Sequence, residues 1–405
     1  MTKNKSIFKL IMENFLQQNF KNKRVIVRVD FNVPLDNDFK ITDFTRIEFS
    51  KKTIEEIISR GGKCVLLSHM GRPNGRELKY SLSHILDSVE EILGVPVKFC
   101  NDCIGDDAIE AVDSLKEGEV ILMENVRFYP EETKGDIDFA RQLSKLGDYF
   151  VNDAFGSAHR AHSSTTIIAD FFKERKFVGM LLDKEVKSID RVLKNGKKPI
   201  TAIIGGAKIS SKITVIENLL DRIDYLIIGG GMVYTFIKAE GGEIGDSICE
   251  DDFCEYSKKI NELAKQKGVK LLLPEDVVIG NEFSAKAKIN LSSVYKIPPG
   301  WQGLDAGPDS IKIFSQIIQK SNTILWNGPI GVFELEPFSN GTKKLGEEIV
   351  KRTKKGAFSL VGGGDSVSAV KKFGISNGIS YISTGGGAML EYLEGKKLPG
   401  IVALT

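Results

Sequence analysis

The sequence predicts an α/β chain built from two parallel, doubly wound sheets joined by a hinge helix. Three observations carry the prediction. Short β-branched runs alternate with longer stretches of helical spacing, the alternation restarts after a Gly/Lys/Pro break at 194–199, and glycine clusters close several of the runs. With 405 residues, 41% of them apolar, the chain has material for roughly two or three ordinary domains with their own cores.

Taken in order, the runs at 25–29, 64–67, 119–122 and 149–151 read as strands of a first sheet, with helical patterns between them. The segment that follows carries apolar side chains at Val186, Ile189, Val192 and Leu193, a stripe that fits an amphipathic helix, so a hinge is expected over 183–195. Ile200–Ile204 then opens a second set and runs into Gly205 and Gly206; further runs follow at 225–228, 270–273, 323–326, 358–361 and 379–383. Strands alternating with helices favour a parallel sheet, and ligands of such sheets bind beyond the carboxyl ends of the strands, where the glycine clusters fall.

Composition excludes several classes. Lys and Arg total 56 against 54 Asp and Glu, so the formal charge of +2 recruits neither nucleic acid nor an anionic membrane surface, and any anion site must come from local clustering. No apolar run approaches the ~20 residues of a membrane span, and the leading residues lack a secretory signal, so a cytoplasmic protein is expected. Lys3, Lys5 and Lys9 precede the first acid, Glu13, a faint likeness to an organelle presequence; a solvated leading segment is the plainer expectation. The five scattered cysteines suit a reducing compartment. Cys100 and Cys103 form one C-x-x-C, but a zinc site would need a second ligand pair, and Cys249 with Cys254 has the wrong spacing, so structural thiols are expected.

Three turns, 229–231, 362–364 and 385–387, are glycine throughout, each lying between an apolar run and a helical pattern. Bare backbone lets N–H groups approach phosphate oxygens, and the following helix adds its positive end. Tight strand-to-helix packing would explain one such turn; three at one sheet edge point to an anion or nucleotide. Neither G-x-x-x-x-G-K-[ST] nor G-x-G-x-x-G is present, which argues against P-loop enzymes and nicotinamide-dependent dehydrogenases. Asp365, at a helix start, suits either a helix cap or a magnesium ligand beside phosphates. In GGAKISSK, 205–212, Lys208 and Lys212 are four apart and would share a helix face if the helix has begun; two ammonium groups side by side fit a polyphosphate between them, or plain surface lysines.

The first half holds all four histidines and a set of arginines near strand ends: Arg28, Arg46, His69, Arg72, Arg127, His159, Arg160 and His162. A single arginine is usually a surface ion pair, but RVDFNVP, SHMGRP, ENVRF and AHRAHSS each follow or end an apolar run and together describe one basic pocket, suited to carboxylate and phosphate.

Those four segments, with GGAKIS, WNGPIGVFE, VGGGDS and STGGGAMLEYLEGKKLPG, resemble phosphoglycerate kinase, in order, from about residue 24 to 402. The chain departs at PED, 274–276, where the family usually has valine in place of Glu275; the leading segment is slightly longer and the final residues shorter than usual. The resemblance implies two Rossmann-like domains: a phosphoglycerate-binding domain over 1–182, the hinge helix over 183–195, a nucleotide-binding domain over 196–390, and a segment 391–405 packing back toward the first. It further implies a monomeric, cytoplasmic, magnesium-dependent (Mg2+) glycolytic enzyme that reversibly transfers a phosphoryl group from 1,3-bisphosphoglycerate to ADP, giving ATP and 3-phosphoglycerate.

By the same resemblance, Asp30, Phe31, Asn32, Arg46, His69, Met70, Gly71, Arg72, Arg127 and Arg160 would hold the phosphoglycerate. Arg46 would face the acyl phosphate, while Arg72, Arg127 and Arg160, aided by His69, would grip the distant phosphate; His159 and His162 would be structural or hinge contacts. Gly206, Ala207, Lys208, Lys212, Gly303, Asn327, Glu334, Gly363, Gly364, Asp365 and Ser366 would hold the nucleotide. Within that set Lys208 would accompany the moving group, Lys212 the phosphates and Glu334 the ribose, with Gly303 near the base and Asp365 on magnesium. Gly364 and Gly387 would donate backbone N–H groups to the transferring oxygens. The acceptor carboxylate, with a pKa of ~4, needs no base, so positioning and charge neutralisation remain, and closure about the hinge would bring the ligands in line. A binding protein that had lost turnover would be expected to lack one of Arg46, Lys208, Lys212 or Asp365; all four are present.

Overall fold

The apolar runs form two six-stranded sheets, each with all of its strands parallel, in a computed structural model that describes residues 11–405. Lys3, Lys5 and Lys9 lie outside the described residues. The chain divides into two units: one runs up to Val186 and includes Lys397–Thr405, and the other is Lys187–Lys396.

In the first unit the spatial order is Val97–Cys100, Val120–Met123, Lys63–Leu67, Arg24–Arg28, Tyr149–Asn152 and Lys176–Val178. The sequence reading misses the two outer strands. Val97–Cys100 has two open positions at its centre and Lys176–Val178 has three residues, so neither shows the solid apolar run of a central strand. The inner strands show it: Val25, Ile26, Val27, Val65, Leu66 and Leu67 are all fully buried. Phe15, Phe20, Tyr149 and Phe177 pack ring against ring with centroids 5.7–6.3 Å apart, closing the core beside the strands Tyr149–Asn152 and Lys176–Val178.

In the second unit the order is Lys270–Leu272, Tyr225–Ile228, Ile200–Ile204, Thr323–Asn327, Phe358–Val361 and Tyr381–Ile382. Numbered along the chain this is 3-2-1-4-5-6, the doubly wound arrangement whose order reverses between Ile200–Ile204 and Thr323–Asn327. The buried indole of Trp326 sits at that reversal and donates to the Gly328 carbonyl at 2.8 Å, so this large ring is buried without an orphaned N–H. Between the third and fourth strands the chain inserts an antiparallel sheet of Asp276–Gly280, Ile289–Ser293 and Gln302–Ala306. The sequence reading misses it because Ile289–Ser293 is exposed and largely polar.

The joining helix is Met180–Leu193, three residues longer at its start than the apolar stripe foretells. Its early start has a local cause: Asp153 Oδ1 accepts the N–H groups of Leu181 and Leu182 at 2.9 and 3.1 Å, satisfying first-turn donors that have no intrahelical partner. The division between the units falls within this helix, after Val186. Among the described residues no helix is long and apolar enough to cross a membrane.

Candidate active site

In the first unit the candidate residues sit past the carboxyl ends of four neighbouring strands. After Arg24–Arg28, Arg46 from the helix Thr45–Ser59 donates to Asp30 Oδ1 at 3.1 Å and to the Asn32 carbonyl at 2.8 Å. After Lys63–Leu67, the Gly71 N–H donates to Asn32 Oδ1 at 2.8 Å. Gly71 has a φ of +61°, and a Cβ there would meet the Tyr80 ring at 2.4 Å, so the turn requires glycine. After Val120–Met123, Arg127 Nη1 donates to the Gly71 carbonyl at 2.7 Å. Three turns are thereby tied through guanidinium and amide groups before any ligand arrives.

Asn125, which sequence reasoning did not single out, is the fully buried junction of this array. Its Oδ1 accepts from Met70 N and Arg127 N at 3.2 and 3.0 Å, and its Nδ2 donates to the carbonyls of Met70 and Tyr80 at 2.8 and 2.9 Å. Its place inside ENVRF, an Asn turning the chain out of a strand, is the signal that could have found it.

Arg28 is fully buried and faces inward. Its Nε donates to Ser164 Oγ at 2.7 Å, and Ser164 donates on to Glu132 at 2.6 Å, so a buried cation is balanced through one hydroxyl by a buried carboxylate. Arg28 Nη2 lies 3.1 Å from His69 Nδ1; arginine can only donate, so Nδ1 accepts and the neutral ring carries its proton on Nε2. Burial, then Arg28, Arg127 and Arg46, hold His69 well below the usual histidine range. Burial, then Arg127, Arg28 and Arg160, push His162 down to about 4. Arg127 itself is lowered to about 10, by burial first and then by Arg28. Positive groups that depress one another mark a region short of negative charge, and the buried Arg127 Nε has no hydrogen-bond partner among the described residues. Arg72 and Arg160 are exposed. Phe31 and Met70 bury their side chains in the core, so they shape the turns through their backbone, Phe31 N donating to Ser68 Oγ at 2.9 Å.

In the second unit the candidates gather where the strand order reverses. The Gly205 N–H donates to the Asn327 carbonyl at 2.9 Å, and a Cβ on Gly205 would meet the Pro329 carbonyl oxygen at 2.0 Å. Lys212 Nζ donates to Asn327 Oδ1, whose Nδ2 donates to the Gly362 carbonyl at 2.7 Å. Asn327 thus links the lysine turn to the 362–364 turn. Burial lowers the Lys212 ammonium against the pull of Asp365 and Glu394. The helix begins only at Ile213, so Lys208 and Lys212 do not share a helix face, which corrects the reading of their spacing. Ser211 Oγ donating to the Lys208 carbonyl at 3.0 Å holds this segment as a turn, with Lys208 exposed and Lys212 drawn inward.

Gly363 has a φ of +92° and caps the helix Gly364–Lys372; Asp365 is exposed in its first turn and makes no side-chain cap bond, so the capping role open to it in sequence is not the one it takes. An exposed carboxylate beside bare N–H groups fits a hard cation that keeps most of its waters. Around a Cβ at Gly364 or Gly386 lies open space, and Gly386, at φ +49°, leads into the helix Gly387–Leu393. Buried Ser366 accepts from Gly328 N. Gly303 is buried in Gln302–Ala306, where a Cβ would strike the Tyr234 hydroxyl at 1.9 Å and its N–H is taken by Ser247 at 2.9 Å. Gly206 at φ +125° and exposed Ala207 complete the lysine turn, and Glu334 is exposed while its carbonyl accepts from Lys372 at 3.1 Å. The departure at Glu275 leaves its side chain at the surface, with its N–H held by Ser310 Oγ at 2.9 Å.

A family model described as phosphoglycerate kinase matches residues 15–396. A phosphoglycerate kinase of Porphyromonas gingivalis is 50% identical, the match covering 96% of this chain and 99% of that one. The cytosolic phosphoglycerate kinase 3 of Arabidopsis thaliana is 49% identical over 96% of both chains. Among solved structures, phosphoglycerate kinase from Coxiella burnetii superposes with a TM-score of 0.87 at 40% identity, covering 96% of this chain and 97% of that one.

Proposed function

The chain belongs to the phosphoglycerate kinase family, and we propose that its two units share that family's phosphotransfer as a basic cradle for the acid and a glycine-and-lysine cradle for the nucleotide. It is a glycolytic phosphotransferase with a carboxyl acceptor. The observation that carries the division of labour is the contrast in charge carriers: fixed guanidinium groups in one unit, bare backbone turns with Lys208, Lys212 and Asp365 in the other.

On this reading Arg72, Arg127 and Arg160, with His69, hold the distant phosphate of 3-phosphoglycerate, and Arg46 faces the acyl phosphate of 1,3-bisphosphoglycerate. Asp30 and Asn32 aim Arg46, and Phe31, Met70 and Gly71 supply the turn. His69 and His162 are held neutral, which suits a reaction whose nucleophile, a carboxylate with a pKa of ~4, needs no base. In the second unit Lys212, Gly206, Ala207 and Asn327 hold the ATP or ADP phosphates, Glu334 the ribose, and Gly303 lies near the base. Lys208, with N–H groups of Gly363, Gly364 and Gly387, neutralises the oxygens of the moving group, and Ser366 braces that turn. Asp365 would hold Mg2+, which supplies charge neutralisation to the nucleotide phosphates when bound. Bending within 183–195 is the movement proposed to bring the bound ligands in line and exclude water.

Monomeric, cytoplasmic operation is part of the proposal. The free cysteines and the near-neutral charge support it, and relatives are named both cytosolic and chloroplastic. The test is a coupled assay: purified protein with magnesium, ATP and 3-phosphoglycerate is expected to form an acyl phosphate that a coupled reductase consumes. A folded sample without turnover would leave only a nucleotide-binding role.

A further inference from the structure

Cys249 and Cys254 are too irregularly spaced in sequence to read as a ligand pair, yet the fold brings them together. The 3-10 turn Asp251–Phe253 leads directly into the helix Cys254–Gln266, with Cys254 at its start. The two thiol sulfurs and an Asp251 carboxylate oxygen then all lie within 4.8 Å of one another, the one such group of three potential ligands among the described residues. Both cysteines are free and half-buried, whereas Cys64, Cys100 and Cys103 are buried in the first unit.

The loop is held open to this geometry by its surroundings. Glu250 N donates to Thr235 Oγ1 at 3.1 Å, and Cys254 Sγ donates to the Thr235 carbonyl at 3.8 Å, so both ends rest on one buried residue. The Glu250 carboxylate turns away and accepts from Ser210 N and Oγ at 3.1 and 2.6 Å, leaving Asp251 to face the sulfurs. Asp251 Oδ1 accepts from Cys249 Sγ at 3.2 Å and from Lys238 Nζ at 2.8 Å. These are the positions of a proton and an ammonium group that a cation would replace.

We propose that Cys249, Asp251 and Cys254 form a binding site for a soft divalent cation of the zinc class, through two thiolates and one carboxylate, with a fourth position open to water. Tetrahedral zinc, with Zn–S of about 2.3 Å and Zn–O of about 2.1 Å, spaces its ligand atoms about 3.5–3.8 Å apart, so the group need close by only about 1 Å. Binding releases the two thiol protons to solvent and frees Lys238 from Asp251. The site is separate from the hard-cation position proposed at Asp365, because sulfur ligands discriminate against magnesium.

Titrating the reduced, full-length protein with Zn2+ in competition with a chromophoric chelator tests this directly. One equivalent is expected in the wild type, lost in Cys254→Ser and retained in Cys64→Ser. In the wild type alone, Zn2+ but not Mg2+ is expected to protect Cys249 and Cys254 from alkylation as read by mass spectrometry, which answers the question even if a variant folds poorly. Failure of the protein to compete for zinc, uptake unchanged in Cys254→Ser, or alkylation of both thiols unaffected by zinc would each overturn the site. None of these readouts depends on turnover.

Discussion

The two units hold positive charge in opposite ways. In the first, three guanidinium groups are fixed by the protein itself, Arg46 on Asp30, Arg127 on Gly71 and Arg28 on Ser164, while Arg72 and Arg160 are exposed. In the second, of the two candidate lysines Lys208 is exposed on a turn and Lys212 is tied to Asn327, and the other candidate donors are backbone N–H groups left bare by glycine. Each surface is therefore suited to a different anion. A rigid array suits an anion that keeps its charge and place throughout, whereas compact donors on turns suit a group whose charge is redistributed as it moves.

Lys208→Ala removes the exposed ammonium and probes the contrast between the units most severely. If Lys208 acts mainly on the moving group, kcat falls about a hundredfold or more while the KM for ATP shifts only a few-fold. Steady-state kinetics that showed a large rise in KM with kcat preserved would make Lys208 a ground-state ligand and erase the contrast.

Two glycines within the second unit separate packing from ligand contact. Gly363→Ala forces a side chain into φ +92° and against Asn327 Nδ2 at 2.7 Å, so about 1–3 kcal/mol of stability should be lost. Gly364→Ala meets open space and should leave the melting temperature nearly unchanged while slowing turnover, since its Cβ stands where the transferring oxygens are proposed to lie. Equal destabilisation in calorimetry would mean that both glycines serve packing.

The smallest expected effect is a pH response that separates the units, because all four histidines belong to the first. His69 and His162 titrate lower when folded than unfolded, His162 at about 4 against an ordinary value of about 6.5. The unfolded chain therefore binds more protons in that window, and the stability present above about pH 6.5 is lost as pH falls toward 4. Hydrogen exchange at pH 7 and pH 5 should show the first unit losing more protection. Greater loss in Lys187–Lys396 would contradict it.

Much of this arrangement is legible in the chain. The central strands and glycine turns announce themselves because full burial demands solid apolar runs and tight turns demand glycine. The outer strands and the antiparallel insertion do not, because half-exposed strands mix polar and apolar residues as loops do. The arginine segments point to one basic pocket, but which arginine faces inward is set by Ser164 and Glu132, more than a hundred residues beyond Arg28 in sequence. Spacing misleads at Lys208 and Lys212, where the helix starts at Ile213, after both lysines, and at Cys249 and Cys254, where a single turn of 3-10 helix accompanies a proximity that no linear pattern encodes.

Binding of the acid and the nucleotide by different units is put to the test by paired equilibrium titrations of Arg72→Ala. Arg72 is exposed, so its removal leaves the fold intact. Affinity for 3-phosphoglycerate is predicted to fall about tenfold or more with the loss of one charge-assisted contact, and affinity for magnesium–ATP to stay as it was. Parallel loss of both affinities, or loss of ATP binding alone, would contradict the account.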